Sequence, residues 1–249
     1  MEKRTDKNSY TIVFAIIMVV VVGSILAFLA TSLKPNIDEN KRLEKQQNIL
    51  YAMGINDNDA KSVVMVSTDR VAADFNKYIT SQIVIQGDKV TEDDKAYMID
   101  LKKEASLAKD KSYTRRLPLF IGDEDGNTYY IVPVRGKGLW DAIWGYIAVD
   151  KDLVIKGVFF DHKGETPGLG ANINQRFFMD DFSGEHITDA SGKFEGVAIS
   201  KSNADPKNIR KTDNAVDAIA GATITGDGVA AMIRKDLRMY MPYLQTLKK

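Results

Sequence analysis

The sequence predicts an α+β protein: a single N-terminal transmembrane helix, then a soluble domain with a mainly antiparallel sheet and flanking helices. Three observations predict this class. An uncharged apolar run covers residues 8–33, short β-rich runs lie between residues 113 and 162, and the last segment repeats apolar residues at helical spacing. No strand–helix–strand alternation is visible, which argues against a parallel sheet.

Residues 8–33 are expected to be an uncleaved membrane anchor. The run contains no charged residue, and a helix of this length spans about 39 Å, more than the roughly 30 Å of hydrocarbon in a bilayer. A core helix rarely stays apolar on every face over such a length, and a cleaved signal peptide has a shorter apolar region. Gly23 and Ala27 form a small-residue face. They either pack on another transmembrane helix or face lipid, and both alternatives stay open.

The charges that flank the run predict its orientation. Lys3, Arg4 and Lys7 precede it, whereas Lys34 alone follows it closely. Positive residues stay on the cytoplasmic side, so we expect a single-pass inner-membrane protein with a cytoplasmic N terminus and a periplasmic soluble domain. The run itself holds no acidic or basic residue and therefore offers no path for sodium or protons.

Residues 35–112 are expected to form a membrane-proximal helical region. After Pro35, Asp38 is a candidate N-cap, an apolar stripe begins at Ile49, and Gly54 is a candidate stop. The segment DDKAYMIDLKKEASLAK extends the helical character toward residue 110. Its alternating charges indicate a solvated face and not a binding patch.

Residues 113–249 are expected to form the β-rich domain and its closing helix. The strands expected in an antiparallel sheet are TYYIVPVRG, GYIAVD and LVIKGVFFDH, with EGVAISK as one more. NINQRFFMDDF is expected to be helical. In the last segment Val229, Ile233, Leu237 and Met241 recur at helical spacing, which predicts a C-terminal helix.

Composition excludes several classes of function. Basic and acidic residues balance at 34 each, so a nucleic-acid partner is not expected. The chain has no cysteine, which excludes disulfides, thiolate metal sites, iron–sulfur ligation and a cysteine nucleophile. Its two histidines, His162 and His186, do not have metal-ligand spacing. Dinucleotide, P-loop and GxSxG motifs are missing too, so redox or transfer chemistry requires an organic cofactor.

Two glycine-rich loops border the β-rich runs, RGKGLW and HKGETPGLG. Glycines allow a close approach to a flat ligand, while Leu139, Trp140 and Leu169 supply apolar surface for a ring. Glu165 and Thr166 add an acceptor and a hydroxyl. The alternative is that both loops are only tight hairpin connections.

The stretch DAIAGATITGDG allows two interpretations. In the first, Thr225 or Asp227 caps the final helix and Gly221 provides a turn. In the second, Gly221 and Ala222 leave the Thr223 hydroxyl accessible to an enzyme, and a phosphoester there lies just before a helix start, where backbone amides favour anions. The residues alone leave both open.

The order of these motifs resembles a known family. A span followed by GKGLW, ETPGLG and DAIAGAT is similar to the FMN-binding domain family, and most similar to the C subunits of sodium-translocating NADH:quinone oxidoreductases, over essentially the whole chain. The resemblance implies that a flavin transferase attaches FMN through its phosphate to Thr223, with Asp217, Gly221 and Ala222 in register. Ala220 replaces the usual serine or threonine, a departure that bears on recognition by the transferase.

The resemblance also implies the remaining cofactor contacts and the activity. The residues expected around the flavin ring are Leu139, Trp140, Glu165, Thr166, Gly168 and Leu169. The implied function is a relay of electrons from NADH toward ubiquinone or menaquinone, coupled to sodium export. The resemblance implies no catalytic residue in this chain. It also implies that the chain is active only in a complex with the A, B, D, E and F subunits, with its anchor in contact with membrane lipid.

Two rival functions stay open. The G subunit of an Rnf-type ferredoxin:NAD complex shares the anchor and the attachment motif, although the long insert over residues 38–110 favours the C-subunit family. A non-redox periplasmic binding module, in which both glycine loops are structural, is the more distant alternative. The domain division expected in either case is 1–34 for the N terminus and anchor, 35–112 for the helical region and 113–249 for the flavin domain.

Overall fold

The computed structural model describes residues 8–60, 62–201 and 205–248. Its Cα packing divides the chain into two compact units, with the boundary after Arg42. One helix, α1 (Asn8–Met53), contains this boundary. The basic residues Lys3, Arg4 and Lys7, on which the predicted orientation depends, lie outside the described residues.

The first unit contains the apolar part of α1. Every residue from 8 to 40 is exposed, and the most apolar window of the helix has no residue buried within the protein. Among the described residues, α1 is the helix long and apolar enough to cross a membrane. An exposed helix that is apolar on every face suits lipid and not a protein core. It is therefore a candidate membrane span, as the sequence predicted.

The predicted helix start after Pro35 is wrong, because α1 is continuous through Pro35. Proline removes one backbone hydrogen bond and crowds the carbonyl four residues before it, and this local cost can kink a helix without ending it. Asp38 consequently lies inside the helix and caps nothing. The predicted stop is confirmed: Gly54 has a φ of +95°, and the amides of Gly54 and Ile55 bond back to Tyr51 and Leu50. This is the Schellman arrangement that ends many helices.

The second unit begins at Leu43, and its first buried residues are the last turns of α1. Its further helices are α2 (Val71–Tyr78), α3 (Leu101–Leu107), α4 (Arg176–Met179) and α5 (Thr223–Leu244), and its strands are β1 (Ile79–Gln86), β2 (Lys89–Glu92), β3 (Leu117–Glu124), β4 (Asn127–Lys137), β5 (Ala142–Val149), β6 (Ile155–His162), β7 (Ala198–Ser200) and β8 (Ala215–Asp217).

The main sheet has the order β2-β1-β3-β4-β5-β6, and every neighbouring pair is antiparallel. The predicted antiparallel sheet is thereby confirmed. The structure differs from the prediction at residues 79–92, which were expected to be helical and instead form β1 and β2. Gln86 pairs with Lys89, so only Gly87 and Asp88 form the turn. Gly87 has a φ of +62°, which two-residue hairpin loops require.

Helices cover both faces of the main sheet. The register places Gly122 and Gly157 on one face, against the last turn of α1, and Gly136 on the opposite face, against Met232 of α5. Residues 131–134 of β4 are consequently all buried, as in sheets with both faces covered. The hydroxyl of Tyr240 donates to the carbonyl of Pro118 at 3.0 Å and ties α5 to β3.

The segment between β6 and α5 builds the end of the domain that carries the candidate site. The stretch predicted to be helical contains short 3-10 turns around α4. β7, predicted near residues 195–201, pairs in parallel with β8 in a separate two-stranded sheet. α5 then begins immediately after the turn at Gly221, and Val229, Ile233, Leu237 and Met241 are buried along it, as predicted.

Candidate functional site

The first turn of α5 presents a threonine hydroxyl at a helix N terminus. Gly221 has a φ of +73°, Ala222 is the N-cap without a side-chain cap, and Thr223 is the first helical residue. Thr223 is exposed. The first turn contains no acidic side chain. The N–H groups that open a helix lack intrahelical partners and carry partial positive charge, so an anion attached at Thr223 is favoured.

The interpretation in which Thr225 or Asp227 caps the final helix is wrong, because α5 begins at Thr223, before both residues. Thr225 is 1 % exposed and lies inside the first turn. Its hydroxyl donates to Oε2 of Glu165 at 2.6 Å. Gly226 and Gly228 do not break the helix, since each faces a close neighbour: Ile199 for the first and the backbone of residue 137 for the second.

Glu165 lies at the centre of the site, where it joins three segments of the chain. It is 4 % exposed. Its Oε1 accepts from the amides of Trp140 at 2.9 Å and Asp141 at 3.4 Å. Its Oε2 accepts from the amide of Leu139 at 3.3 Å and from the Thr225 hydroxyl at 2.6 Å. The two predicted glycine loops and the start of α5 therefore meet at one carboxylate.

The Glu165 carboxylate is held ionised. Burial alone raises the pKa of a carboxyl group. Here the hydrogen bonds from Thr225 and from the three loop amides outweigh burial and bring the pKa of Glu165 below its ordinary value. A carboxylate that accepts several hydrogen bonds retains its charge in a buried place. The site thus contains one buried negative charge, stabilised by neutral donors.

Two glycines make room for this carboxylate. A methyl group added at Gly138 would lie 2.6 Å from Oε1 of Glu165, and one added at Gly170 would lie 2.6 Å from Oε2. Heavy atoms do not approach so closely without a hydrogen bond, so any larger residue displaces the carboxylate. Gly138, Gly170 and Thr225 are the site residues that sequence reasoning missed. The close spacing of glycines in ETPGLG was the available signal for Gly170.

The apolar residues predicted to contact a ring are exposed at this end of the domain. Trp140 is 66 % exposed, Leu139 is 44 % exposed and Leu169 is 41 % exposed. The indole N–H of Trp140 donates to the Thr166 hydroxyl at 3.1 Å. A methyl group added at Gly221 would lie 2.8 Å from Cδ2 of Leu169. Leu169 therefore rests on the turn that precedes Thr223, and large apolar side chains stand exposed beside a hydroxyl.

A cleft of about 410 Å³ adjoins the DAIA stretch on the same end of the domain. Gly168, Phe177, Asp181 and Asp217 are among its lining residues. Oδ2 of Asp217 is buried without a hydrogen-bond partner among the described residues. Burial and nearby carboxylates, Asp217 included, raise the pKa of Asp181. The cleft is acidic and does not suit a phosphate, in contrast to the start of α5.

The structure thus separates the predicted site residues into two groups. The contacts described above bring together Leu139, Trp140, Glu165, Thr166, Leu169 and Gly221, next to Ala222 and Thr223. Gly168 and Asp217 line the acidic cleft instead. Ala220 also lines this cleft and is exposed, so a serine or threonine at this position would be accessible to a modifying enzyme.

Residues 138–238 match the FMN-binding domain family. The fold and the site therefore define an FMN-binding domain carried behind a candidate membrane span. Over 240 residues the chain is 30 % identical to the C subunit of the Na(+)-translocating NADH-quinone reductase of Pseudomonas aeruginosa, covering 90 % of this chain and 89 % of the relative. The chain belongs to this family of C subunits, and is thus a subunit of an oxidoreductase.

Further relatives and solved structures agree with this assignment. The C subunit of the same reductase from Neisseria meningitidis serogroup B is 29 % identical over 100 % of this chain and 98 % of its own length. The crystal structure of the C subunit from Parabacteroides distasonis has a TM-score of 0.71 and 33 % identity, covering 85 % of this chain and 96 % of that chain. The crystal structure of Shewanella oneidensis NqrC has a TM-score of 0.64 and 28 % identity. It covers 84 % of this chain and 98 % of that chain.

Proposed function

We propose that this chain is the covalently flavinylated, membrane-anchored electron-transfer subunit of a sodium-translocating NADH:quinone oxidoreductase, with FMN esterified to Thr223. The observation that carries the proposal is the exposed hydroxyl of Thr223 at the first position of α5, within a domain of the FMN-binding family. Attachment forms one bond between the threonine oxygen and the flavin phosphorus. It releases the hydroxyl proton and breaks the bond to the leaving group of an activated flavin donor, which a flavin transferase binds.

The residues around Thr223 fit the parts of FMN. The amides of the first turn of α5 favour the phosphate, while Leu139, Trp140 and Leu169 would cover the ring with apolar surface. Bound FMN supplies the reversible electron chemistry, and the protein supplies position and electrostatics. Glu165 holds the loop of Leu139 and Trp140 in place. A covalent bond keeps the flavin on a domain that faces the periplasm, where a lost flavin is not replenished.

We further propose a place for the chain in the inner membrane and in the reductase complex. α1 anchors it in the inner membrane with the N terminus in the cytoplasm and the flavin domain in the periplasm. Electrons enter from a neighbouring redox subunit and leave toward ubiquinone or menaquinone, while the A, B, D, E and F subunits supply NADH oxidation and sodium export. Among the described residues of the anchor there is no ionisable side chain between Thr11 and Leu33, which supports a sodium path outside this chain.

The experiment that tests the proposal is intact-mass spectrometry of the full chain, produced with its flavin transferase. The expected mass exceeds that of the polypeptide by one FMN less one water. A denaturing gel under ultraviolet light should show fluorescence that survives denaturation. A bare polypeptide mass from the native host would contradict covalent attachment.

The turn at Gly221 gives a prediction about the attachment reaction. Gly221→Ala places a side chain at a φ of +73° and a methyl group against Leu169, so the turn shifts and Thr223 moves with it. Misplaced reacting atoms slow a reaction steeply, so we expect the flavinylated fraction at a fixed time to fall roughly tenfold. Intact-mass spectrometry measures this fraction.

The matched control for Gly221→Ala is Gly126→Ala in the β3–β4 turn. Gly126 has a similar φ of +81°, and an added methyl group meets no atom within 4 Å. This variant carries the same kind of backbone strain away from the site, so its flavinylated fraction should equal that of the unmodified sequence. Equal losses in both variants would attribute the effect to general destabilisation and not to the position of Thr223.

A further inference from the structure

We propose that Glu165 is a positioning residue that couples the loop 138–141 to the first turn of α5. It thereby sets where Leu139 and Trp140 stand relative to a flavin on Thr223. The flavin part of this inference rests on the proposed function. The coupling itself is a property of the polypeptide and can be measured without any flavin.

The hydrogen-bond donors around Glu165 divide between its two carboxylate oxygens. Oε2 accepts from Thr225 of α5 at 2.6 Å and from Leu139 at 3.3 Å, whereas Oε1 accepts from Trp140 at 2.9 Å and Asp141 at 3.4 Å. Both oxygens belong to one rigid planar group. A change on the Thr225 side therefore rotates or shifts the group and alters the bonds on the loop side.

The surroundings of Glu165 leave the carboxylate little freedom to compensate. Gly138 and Gly170 approach it so closely that a single methyl group at either would lie 2.6 Å from an oxygen. From its own loop, the amide of Glu165 donates to Nδ1 of His162 at 3.2 Å, which fixes the backbone beneath it. Close-packed groups transmit displacements instead of absorbing them. The carboxylate is thus a rigid link between the loop 138–141 and Thr225, which lies 60 residues after Glu165 in sequence.

The link has a functional consequence because of what each side carries. On one side the loop presents the exposed side chains of Leu139 and Trp140. On the other, Thr225 lies two residues after Thr223 in the same helical turn. Tethering FMN at Thr223 fixes only its phosphate end. The position of the ring then depends on the loop 138–141. Glu165 determines where that loop lies relative to α5.

The first test measures amide hydrogen exchange in the full chain in detergent, without flavin transferase. Thr225→Val removes the hydroxyl and keeps the shape of the side chain. Thr225 makes no hydrogen bond to the loop itself, only to Glu165. If Glu165 couples the two, the amides of residues 139–141 should exchange about tenfold faster, since a hydrogen bond to a charged group contributes that much. Thr225→Ser retains the hydroxyl and should restore slow exchange. Faster exchange confined to the first turn of α5 would overturn the coupling.

The second test measures the flavin after production with the transferase. Thr223 is intact in both Thr225 variants, so both should carry covalent flavin. We expect the visible circular-dichroism band of the flavin to lose about half its amplitude in Thr225→Val, where the loop is loosened, and to recover in Thr225→Ser. An unchanged band in Thr225→Val would overturn the positioning role. If Thr225→Val does not fold, Glu165→Gln replaces one of the two acceptor oxygens by an NH2 donor. It should accelerate exchange both at residues 139–141 and in the first turn of α5, and faster exchange in only one of these segments would overturn the coupling.

The two proposals fail in different ways. A wild-type chain without flavin would contradict the proposed function, while the exchange experiment would still decide on the coupling. A flavinylated wild-type chain whose loop exchange does not respond to Thr225 would contradict the coupling and leave the attachment at Thr223 intact.

Discussion

Thr223→Ala is expected to abolish covalent flavin completely. The substitution removes the one oxygen that forms the proposed phosphoester, and neighbouring Thr225 cannot replace it because its hydroxyl is 1 % exposed and bonded to Glu165. The full chain produced with its transferase should have the mass of the bare polypeptide and no fluorescence on a denaturing gel. Electron transfer through a complex that contains this variant should be lost with the flavin.

Two control variants distinguish the loss of the reacting oxygen from a loss of folding. Thr223→Ser keeps a nucleophilic oxygen at the start of α5 and should retain a measurable adduct, whereas Thr225→Val leaves Thr223 untouched and should retain a full one. Because Thr223 is exposed, its replacement by alanine should change the free energy of unfolding by only about 0.5 kcal/mol. An adduct that persists in Thr223→Ala, or one that disappears in Thr225→Val, would place the bond elsewhere.

Local patterns were sufficient to predict three neighbouring strands at one edge of the sheet, β4, β5 and β6, but not β1, β2 and β3. β4, β5 and β6 are short runs rich in β-branched and aromatic residues that end at charged or glycine-containing turns, and such runs are typical of strands. β1 and β2 carried the same signals, a run rich in isoleucine and valine followed by a Gly-Asp turn. They were missed because the strongly charged helical segments on both sides dominated the region.

The errors at the helix boundaries have tertiary causes. In the sequence alone, Gly226 and Gly228 indicate a turn that precedes the helix. In the structure both lie inside α5. Gly228 faces the backbone of Lys137 and Gly226 faces Ile199, so small residues serve the packing of the helix there. A sequence pattern cannot separate a glycine that breaks a helix from one that permits close packing, because the deciding neighbour is distant in sequence.

The site could be predicted in its parts but not in its arrangement. The family resemblance identified the glycine loops and the attachment motif, and their individual glycines suggested close contacts. The bond between Thr225 and Glu165 joins residues 60 positions apart, and local spacing contains no information about such a pair. The acidic cleft beside Asp217 also depends on Asp181, from a different segment. Long-range polar contacts became visible only with the fold.

Glu185→Gln is expected to stabilise the domain above pH 7. Glu185 is fully buried, and neither of its oxygens has a hydrogen-bond partner of ordinary geometry among the described residues. Its nearest cation is Nζ of Lys211, 3.9 Å away. Burial raises the pKa of Glu185 to about 7 from an ordinary 4.5, and the opposing effects of Asn208 and Lys211 are smaller.

The direction of the pH dependence follows from these values. Between pH 4.5 and 7 the unfolded chain has released the proton of Glu185 while the folded chain retains it, so stability falls as pH rises through this window. Above pH 7 the full cost of a buried carboxylate is present. Glutamine carries no charge at any pH, so the variant should gain on the order of 2 kcal/mol in the free energy of unfolding at pH 8. It should gain little at pH 4.5.

Urea unfolding of the full chain in detergent, from pH 4.5 to pH 8, measures this effect. Glu195→Gln is the matched control, because the Glu195 side chain is 43 % exposed and paired with Lys193 at 2.5 Å, and its replacement should leave the pH profile unchanged. Lys211→Met removes the cation nearest to Glu185. Its free energy of unfolding at pH 8 should be lower than that of the wild type. A Glu185→Gln profile parallel to that of the wild type would mean that Glu185 is ionised and solvated in the folded state, which contradicts its burial between Lys211 and Asn208.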